Sequence, residues 1–254
     1  MGLHDELKKT KSRYDGEIRQ IKNFVNTTER SLTRKQRKKP KGKLEEDDKK
    51  ELERLSDFFN RMADDDVKNE KLTIKSEMVS KLFVQVAIPI KHKSFLTEMT
   101  LSYLVAHQEA MLKDYLHCIL VNRKSLLKSK SSITYQDVLS YTSMKSLIAH
   151  LAQKEVDQLG FGSIDDVERY FSSKMNINLS NFEKWDDIVE ASFRRNIFIH
   201  NKGVANEKYC KAVGVEKLGK RLSVDLDYVM SISDNLISFN EFCFNLFVEK
   251  FKLS

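Results

Sequence analysis

Glycine and proline are scarce in this sequence, with eight glycines and two prolines among 254 residues. So few turn-forming residues argue against a turn-rich all-β fold and against a collagenous or disordered chain. No uninterrupted apolar run approaches the roughly 20 residues that a membrane-spanning helix needs. With 41% hydrophobic and 32% charged residues, the composition instead predicts a globular protein of long helices.

Cysteines are also few, and their spacing is informative. Cys118, Cys210 and Cys243 are odd in number and form no C-x-x-C pair, which indicates neither a disulfide framework nor a thiolate metal site. Residues 1–6 lack the basic-then-apolar order of a signal peptide. We therefore expect a cytoplasmic protein with no membrane anchor.

The charge is unbalanced toward the basic side. Lys and Arg total 44 against 37 Asp and Glu, and the isoelectric point is near 9.1. A polyanion such as nucleic acid is therefore an electrostatically plausible partner. Residues 34–43 combine a run of basic side chains with Pro40 and Gly42, which predicts a basic loop. The loop is either a solvated connector or a contact to a nucleic-acid backbone.

Apolar periodicity divides the chain into two regions. Residues 1–90 read as an N-terminal charged helical region, in which two amphipathic helices around 7–25 and 52–62 form a hairpin across the basic loop 34–43. Residues 91–254 read as a second, all-helical domain.

The second region contains several helix signals. Apolar residues recur at helical spacing over 101–119, and shorter helices are expected around 135–158 and 163–173. Ser163 followed by Asp166 predicts a helix N-terminus. Another helix begins at Trp185 and is expected to stop at Gly203. The last helix carries an apolar stripe over 229–246, which is either core or a partner surface.

The segment most informative about chemistry is the run FRRNIFIHNKG at 193–203. Arg195, Asn196 and His200 form an R-N-x-x-x-H arrangement, and Asn201 and Gly203 follow it. This arrangement resembles the motif of HEPN-domain ribonucleases, several of which continue with a similar tail. A long upstream helix and a Lys-Glu-Val step at 154–156 are similar to the same family, so the resemblance covers roughly residues 95–250.

The resemblance implies an all-α, HEPN-like helical bundle with the N-terminal helical hairpin appended to it. It implies a metal-independent endoribonuclease that needs no cofactor, forms a homodimer with a composite active site, and cleaves RNA as a toxin or anti-phage defence effector. An antitoxin or another regulatory protein would be a natural partner. The alternative is a catalytically inactive HEPN scaffold that serves as a nucleic-acid-binding or dimerisation module.

The residue types suit cleavage by the RNA 2′-hydroxyl, which leaves a 2′,3′-cyclic phosphate and a 5′-hydroxyl. Histidine is the side chain that titrates nearest neutrality, so a residue of this type at position 200 can transfer a proton. Arg195 can form two parallel hydrogen bonds to phosphate oxygens. Asn196 could orient the phosphate or the imidazole. Arg194 and Lys202 are either RNA contacts or ordinary surface charges.

Helical geometry complicates this site. At about 100° per residue, Asn196 and His200 share a face, whereas Arg195 points about 140° away from His200. Either Arg195 reaches around the helix, the helix is distorted, or two copies of the motif face each other, and the resemblance favours the dimeric cleft. His200 also continues the apolar stripe of Val189 and Phe193, so a buried core histidine is the competing interpretation.

Overall fold

The computed structural model describes residues 2–37, 88–127, 133–158 and 163–253. Within these ranges the chain is all-α, as predicted: it has no strand, and its two short 3-10 turns lie at Lys124–Leu127 and Leu179–Asn181. The eight helices of the described residues are α1 (Leu3–Arg37), α2 (Ile88–Asn122), α3 (Tyr135–Leu139), α4 (Met144–Gln158), α5 (Ile164–Met175), α6 (Trp185–His200), α7 (Glu207–Val213) and α8 (Leu226–Phe251). None of the described helices is long and apolar enough to cross a membrane.

The chain forms two compact units that differ from the predicted division at residue 90. The larger unit contains Met1–Val25 together with Thr97–Ser254, and the smaller contains Asn26–Leu96. The first 25 residues belong to the larger unit because Leu7 and Ile18 on α1 are buried in its core. The predicted helix at 52–62 and residues 38–43 of the basic loop lie outside the described residues.

Within the smaller unit, the described residues belong to the ends of two helices. Residues 26–37 continue α1, so the first part of the predicted basic loop has a helical backbone. Residues 88–96 begin α2, and the Lys93 ammonium lies 2.8 Å from Glu29 Oε1. An ion pair therefore joins the two helices within this unit.

The core of the larger unit is centred on α8. Its predicted stripe is buried at Val229, Ile232, Leu236, Phe239 and Cys243, so these side chains are core rather than partner surface. Ring pairs extend this core, because Phe239 packs 5.2 Å from Phe182 and Phe247 packs 5.2 Å from Tyr115 between ring centroids. Burial of these large aromatic surfaces supplies much of the stabilisation.

A buried polar link joins three helices of this unit. The Asn240 side chain on α8 is fully buried and accepts a hydrogen bond from the Tyr115 hydroxyl on α2. Its amide nitrogen donates to the Lys11 carbonyl at 3.1 Å and to Asp15 Oδ1 at 2.7 Å, both on α1. Because buried polar groups are costly without partners, this link fixes how α1 packs against α2 and α8.

The N-terminus of α5 confirms the capping predicted from Ser163 and Asp166. The Ser163 backbone N–H donates to Asp166 Oδ2 at 2.8 Å, and the Ser163 hydroxyl lies 3.0 Å from the same oxygen. The hydrogen bond from the Ser163 hydroxyl lowers the pKa of the Asp166 carboxyl. The cap fixes the start of α5, and Ser163 also borders the cavity described below.

Candidate functional site

The site is built around the C-terminus of α6, which ends at His200. Lys202 and Gly203 then adopt positive φ angles of 52° and 81°, a conformation that turns the chain away from the helix axis. A Cβ atom on Gly203 would lie 3.2 Å from Phe198 Cε1, so glycine suits both the backbone angle and the space. The helix therefore stops three residues before the glycine that predicted its end.

The turn after α6 is held in place by the segment at 219–222. Leu222 N–H donates to the Gly203 carbonyl at 2.8 Å, and Ala205 N–H donates to the Lys220 carbonyl at 2.9 Å. The Asn201 side chain donates to the Val204 carbonyl within the turn. These bonds give the end of α6, and with it the His200 backbone, a fixed position.

A cavity of about 430 Å³ lies beside this end of α6, within the larger unit. Its walls come mainly from α2, α6 and α7, and the polar side chains that matter below are Glu109, Arg195, Asn196, His200, Lys208 and Tyr209. This volume is within the range of about 300–1,000 Å³ that is common for small-ligand sites. Arg195, Asn196 and His200 thus line one cavity of a single chain, although α6 is continuous.

His200 is exposed rather than buried in the core. The apolar stripe that predicted a core histidine ends one turn earlier, at Ile197, whose side chain is only 3% exposed. Neither His200 nor Asn196 has a hydrogen-bond partner among the residues that the structure describes. Both polar side chains are therefore available to a ligand in the cavity.

Arg195 forms an ion pair with an acidic residue that the sequence did not single out. One guanidinium nitrogen, Nη2, donates to Glu109 Oε1 on α2, and the two side chains are only 20% and 25% exposed. The Arg195 Nε atom is buried and has no partner among the described residues. The ion pair therefore holds the guanidinium at the wall of the cavity, where a cation suits an anionic ligand.

Lys208 adds a second cation to the cavity wall. It lies on α7, is exposed, and forms no ion pair with any acidic side chain in the described part of the chain. Asn206 also lines the cavity, but its side chain is used to cap α7 by accepting from Tyr209 N–H at 2.9 Å. Lys208 is therefore the cation of the cavity with the most freedom to meet a phosphate.

Arg194, a predicted RNA contact, is occupied elsewhere. Its Nε donates to Glu190 Oε1 at 2.6 Å, its Nη1 donates to the Ser223 carbonyl at 2.7 Å, and its guanidinium lies 4.4 Å from the Tyr228 ring centroid. Only 15% of the side chain is exposed, and it does not line the cavity. These contacts assign Arg194 to the packing of α6.

The same carboxylate organises the neighbouring tyrosines. Glu190 accepts from the Tyr209 hydroxyl at 2.6 Å and from the Tyr228 hydroxyl at 2.5 Å. Burial, reinforced by the bond to Glu190, raises the pKa of Tyr209 to about 12. Tyr209 therefore remains neutral and serves to hold α7 against α6. Lys202, the other tentative RNA contact, is exposed but does not line the cavity.

Two cavity residues, Glu109 and Lys208, were missed from the sequence. Glu109 lies two helical turns before the buried Leu116, so it borders the apolar face of α2, and a carboxylate at that border was the available signal. Lys208 lies in a polar stretch and carries no comparable signal. Among the described residues, no group of three or more His, Cys, Asp or Glu side chains could hold a metal ion.

Comparison with protein-family models, curated proteins and solved structures found no match for this chain. The case for a function therefore depends on the residues of the cavity.

Proposed function

We propose that this protein is a metal-independent endoribonuclease of the HEPN type. The observation that carries the proposal is that Arg195, Asn196 and His200 line one cavity, in which the His200 imidazole is exposed and has no protein partner among the described residues. The net charge of +7 favours approach of a polyanion. The expected products are RNA ends with a 2′,3′-cyclic phosphate and a 5′-hydroxyl.

Each polar side chain has a role that follows from its chemistry. His200 exchanges a proton with the reacting oxygen atoms, because imidazole titrates near neutral pH. Arg195 and Lys208 stabilise the negative charge that develops at phosphorus, because both cations line the cavity. Asn196 can accept or donate a hydrogen bond, and it orients the phosphate or the imidazole.

The test of this proposal is incubation of the purified protein with RNA in excess EDTA. Cleavage by the wild type is expected to fall by about 10²–10⁴ in His200→Ala, because a proton-transfer group is lost. His150→Ala is the matched control, since His150 is exposed and does not line this cavity. Undiminished cleavage by folded His200→Ala would contradict the proposal. A wild type that binds RNA without cutting it would support the alternative, an inactive scaffold or binding module.

The proposal includes a homodimer in which two copies of the cavity face one RNA strand. Because one chain already brings Arg195 and His200 to the same cavity, the dimer is a separate claim with its own test. Mixing the inactive Arg195→Ala and His200→Ala proteins should restore part of the activity if each strand meets residues of both copies. If the mixed variants recover no cleavage activity after subunit exchange, or if the protein sediments as a monomer, the composite site would be excluded.

The proposed biological role is that of a toxin or anti-phage effector, held in check by an antitoxin or another regulatory protein. Uncontrolled RNA cleavage slows growth, so expression of the wild type without an inhibitor should be toxic. Arg195→Ala should relieve this toxicity at equal protein level. Equal growth of the two strains would count against the role.

A further inference from the structure

Cleavage of RNA through its own 2′-hydroxyl requires two proton transfers. A base removes the proton of the attacking 2′-oxygen, and an acid gives a proton to the departing 5′-oxygen. One imidazole in one protonation state performs only one of these transfers in a single step. A site with one histidine therefore needs a second titratable group.

Few of the side chains that line the cavity can be that second group. Arginine and lysine ordinarily keep their protons far above neutral pH. Tyr209 is excluded because its hydroxyl donates to Glu190 and its pKa is raised to about 12 by burial. Among the titratable side chains that line the cavity, Glu109 and His200 remain.

Glu109 is placed to act as a base. It lies on α2 and lines the cavity, and its Oε1 accepts from Arg195 Nη2 while no described residue donates to its Oε2. The other titratable groups that line the cavity are Arg195 and His200 from α6 and Lys208 and Tyr209 from α7, all of them basic or neutral. The Oε2 oxygen is therefore available to accept a proton.

We propose that Glu109 is the general base and His200 the general acid, so that a single chain supplies both proton-transfer groups. This inference depends on the proposed ribonuclease function. It also gives Arg195 a positioning role, because the Arg195 guanidinium contacts Glu109 through Nη2.

The Glu109 carboxylate takes the proton of the 2′-hydroxyl as the 2′-oxygen forms a bond to phosphorus, and the bond between phosphorus and the 5′-oxygen breaks. The His200 imidazolium gives its proton to that 5′-oxygen. The products are a 2′,3′-cyclic phosphate and a 5′-hydroxyl, and Glu109 and His200 return to their starting states by exchanging protons with water.

The first test is the pH dependence of single-turnover cleavage. A base must be deprotonated and an acid protonated at the same time, so the wild type should show a bell-shaped profile with one limb from each group. Glu109→Gln should lower the rate by about 10²–10⁴ and abolish the acidic limb. Glu207→Gln is the control, because Glu207 is exposed on α7 and does not line the cavity. A Glu109→Gln profile that keeps both limbs would overturn the assignment.

The second test assigns the two roles with an RNA in which sulfur replaces the bridging 5′-oxygen. A thiolate leaves without a proton, so this substrate should largely restore cleavage by His200→Ala but not by Glu109→Gln. The reverse pattern would overturn the assignment. If Glu109→Gln acted only by moving Arg195, the acidic limb would not disappear and the rescue would not be selective. Binding of uncleavable 2′-O-methyl RNA by each variant, with an affinity within about threefold of the wild type, would show that the cavity is intact.

These outcomes separate the inference from the proposed function. If the wild type cleaves no RNA, both fail. If the wild type cleaves RNA and depends on His200, but Glu109→Gln cleaves with the wild-type pH profile, only the inference fails.

Discussion

Replacement of Glu190 by alanine is expected to be strongly destabilising, although Glu190 does not line the cavity. Its carboxylate accepts from Arg194 Nε at 2.6 Å, from the Tyr209 hydroxyl at 2.6 Å and from the Tyr228 hydroxyl at 2.5 Å. Glu190 and Arg194 are 17% and 15% exposed, so solvent replaces these bonds poorly. The substitution leaves a mostly buried guanidinium without its counter-ion.

The size of the effect follows from these contacts. Breaking a buried ion pair by removing one partner costs about 3–5 kcal/mol, and a buried hydroxyl without an acceptor costs about 1–3 kcal/mol. Partial rescue by water and by the Ser223 carbonyl that also binds Arg194 reduces the sum, so we expect about 4 kcal/mol. Tyr228→Phe, which removes one bond and its donor together, should cost only about 1 kcal/mol.

Urea unfolding followed by far-ultraviolet circular dichroism measures these free energies. Glu249→Ala, on an exposed position of α8, is the control and should change stability by less than about 0.5 kcal/mol. The double variant Glu190→Ala/Arg194→Ala should be more stable than the sum of the two single effects predicts, by about 2 kcal/mol. A loss below about 1 kcal/mol in Glu190→Ala, or strict additivity, would refute this account of the cluster.

Three further predictions concern the support of the fold and the site. Asn240→Ala should lower the free energy of unfolding by about 3 kcal/mol in urea titrations, because Asp15 loses a buried amide donor; a change under about 1 kcal/mol would contradict it. Burial lowers the pKa of His107, so folding favours the neutral imidazole; this stabilisation is present above about pH 6.5 and is lost as the pH falls. His107→Gln should therefore show a smaller fall in Tm than the wild type between neutral and mildly acidic pH. An equal fall in Tm would exclude this contribution. Gly203→Ala should cost about 1–2 kcal/mol, because φ is 81° and the new Cβ would lie 3.2 Å from Phe198 Cε1; wild-type stability in the same titration would contradict it.

The helices and their ends were largely predictable because they depend on local patterns. The spacing of Val229, Ile232 and Leu236 predicted a buried stripe on α8, and these side chains are buried. Ser163 and Asp166 predicted the capping of α5, which the hydrogen bonds confirm. Such signals act over one or two helical turns, so the sequence contains all of their determinants.

The domain division was harder because periodicity shows that a helix has a buried face but not what covers it. The first residues of α1 were predicted to pair with a helix at 52–62. Leu7 and Tyr14 pack in the core of the larger unit, and Asp15 bonds to Asn240 across 225 positions of sequence, whereas residues 52–62 lie outside the described residues. Contacts over such a distance have no local signature.

The residues of the site that lie close together in sequence were predictable, and the distant one was not. Arg195, Asn196 and His200 were singled out by their spacing, and the structure brings them to one cavity. Glu109 is 86 positions from Arg195, and only tertiary packing joins them. One local signal distinguished Arg194 from Arg195, which lines the cavity. Glu190 precedes Arg194 by one helical turn, a spacing that favours an ion pair between these two side chains.

The chemical ends of the RNA fragments test the central claim most directly. Wild-type protein in EDTA should leave a 2′,3′-cyclic phosphate on one fragment and a 5′-hydroxyl on the other, and neither Arg195→Ala nor His200→Ala should produce these ends above background. Fragments that carry 3′-hydroxyl and 5′-phosphate ends, or cyclic phosphates formed equally well by both variants, would contradict it.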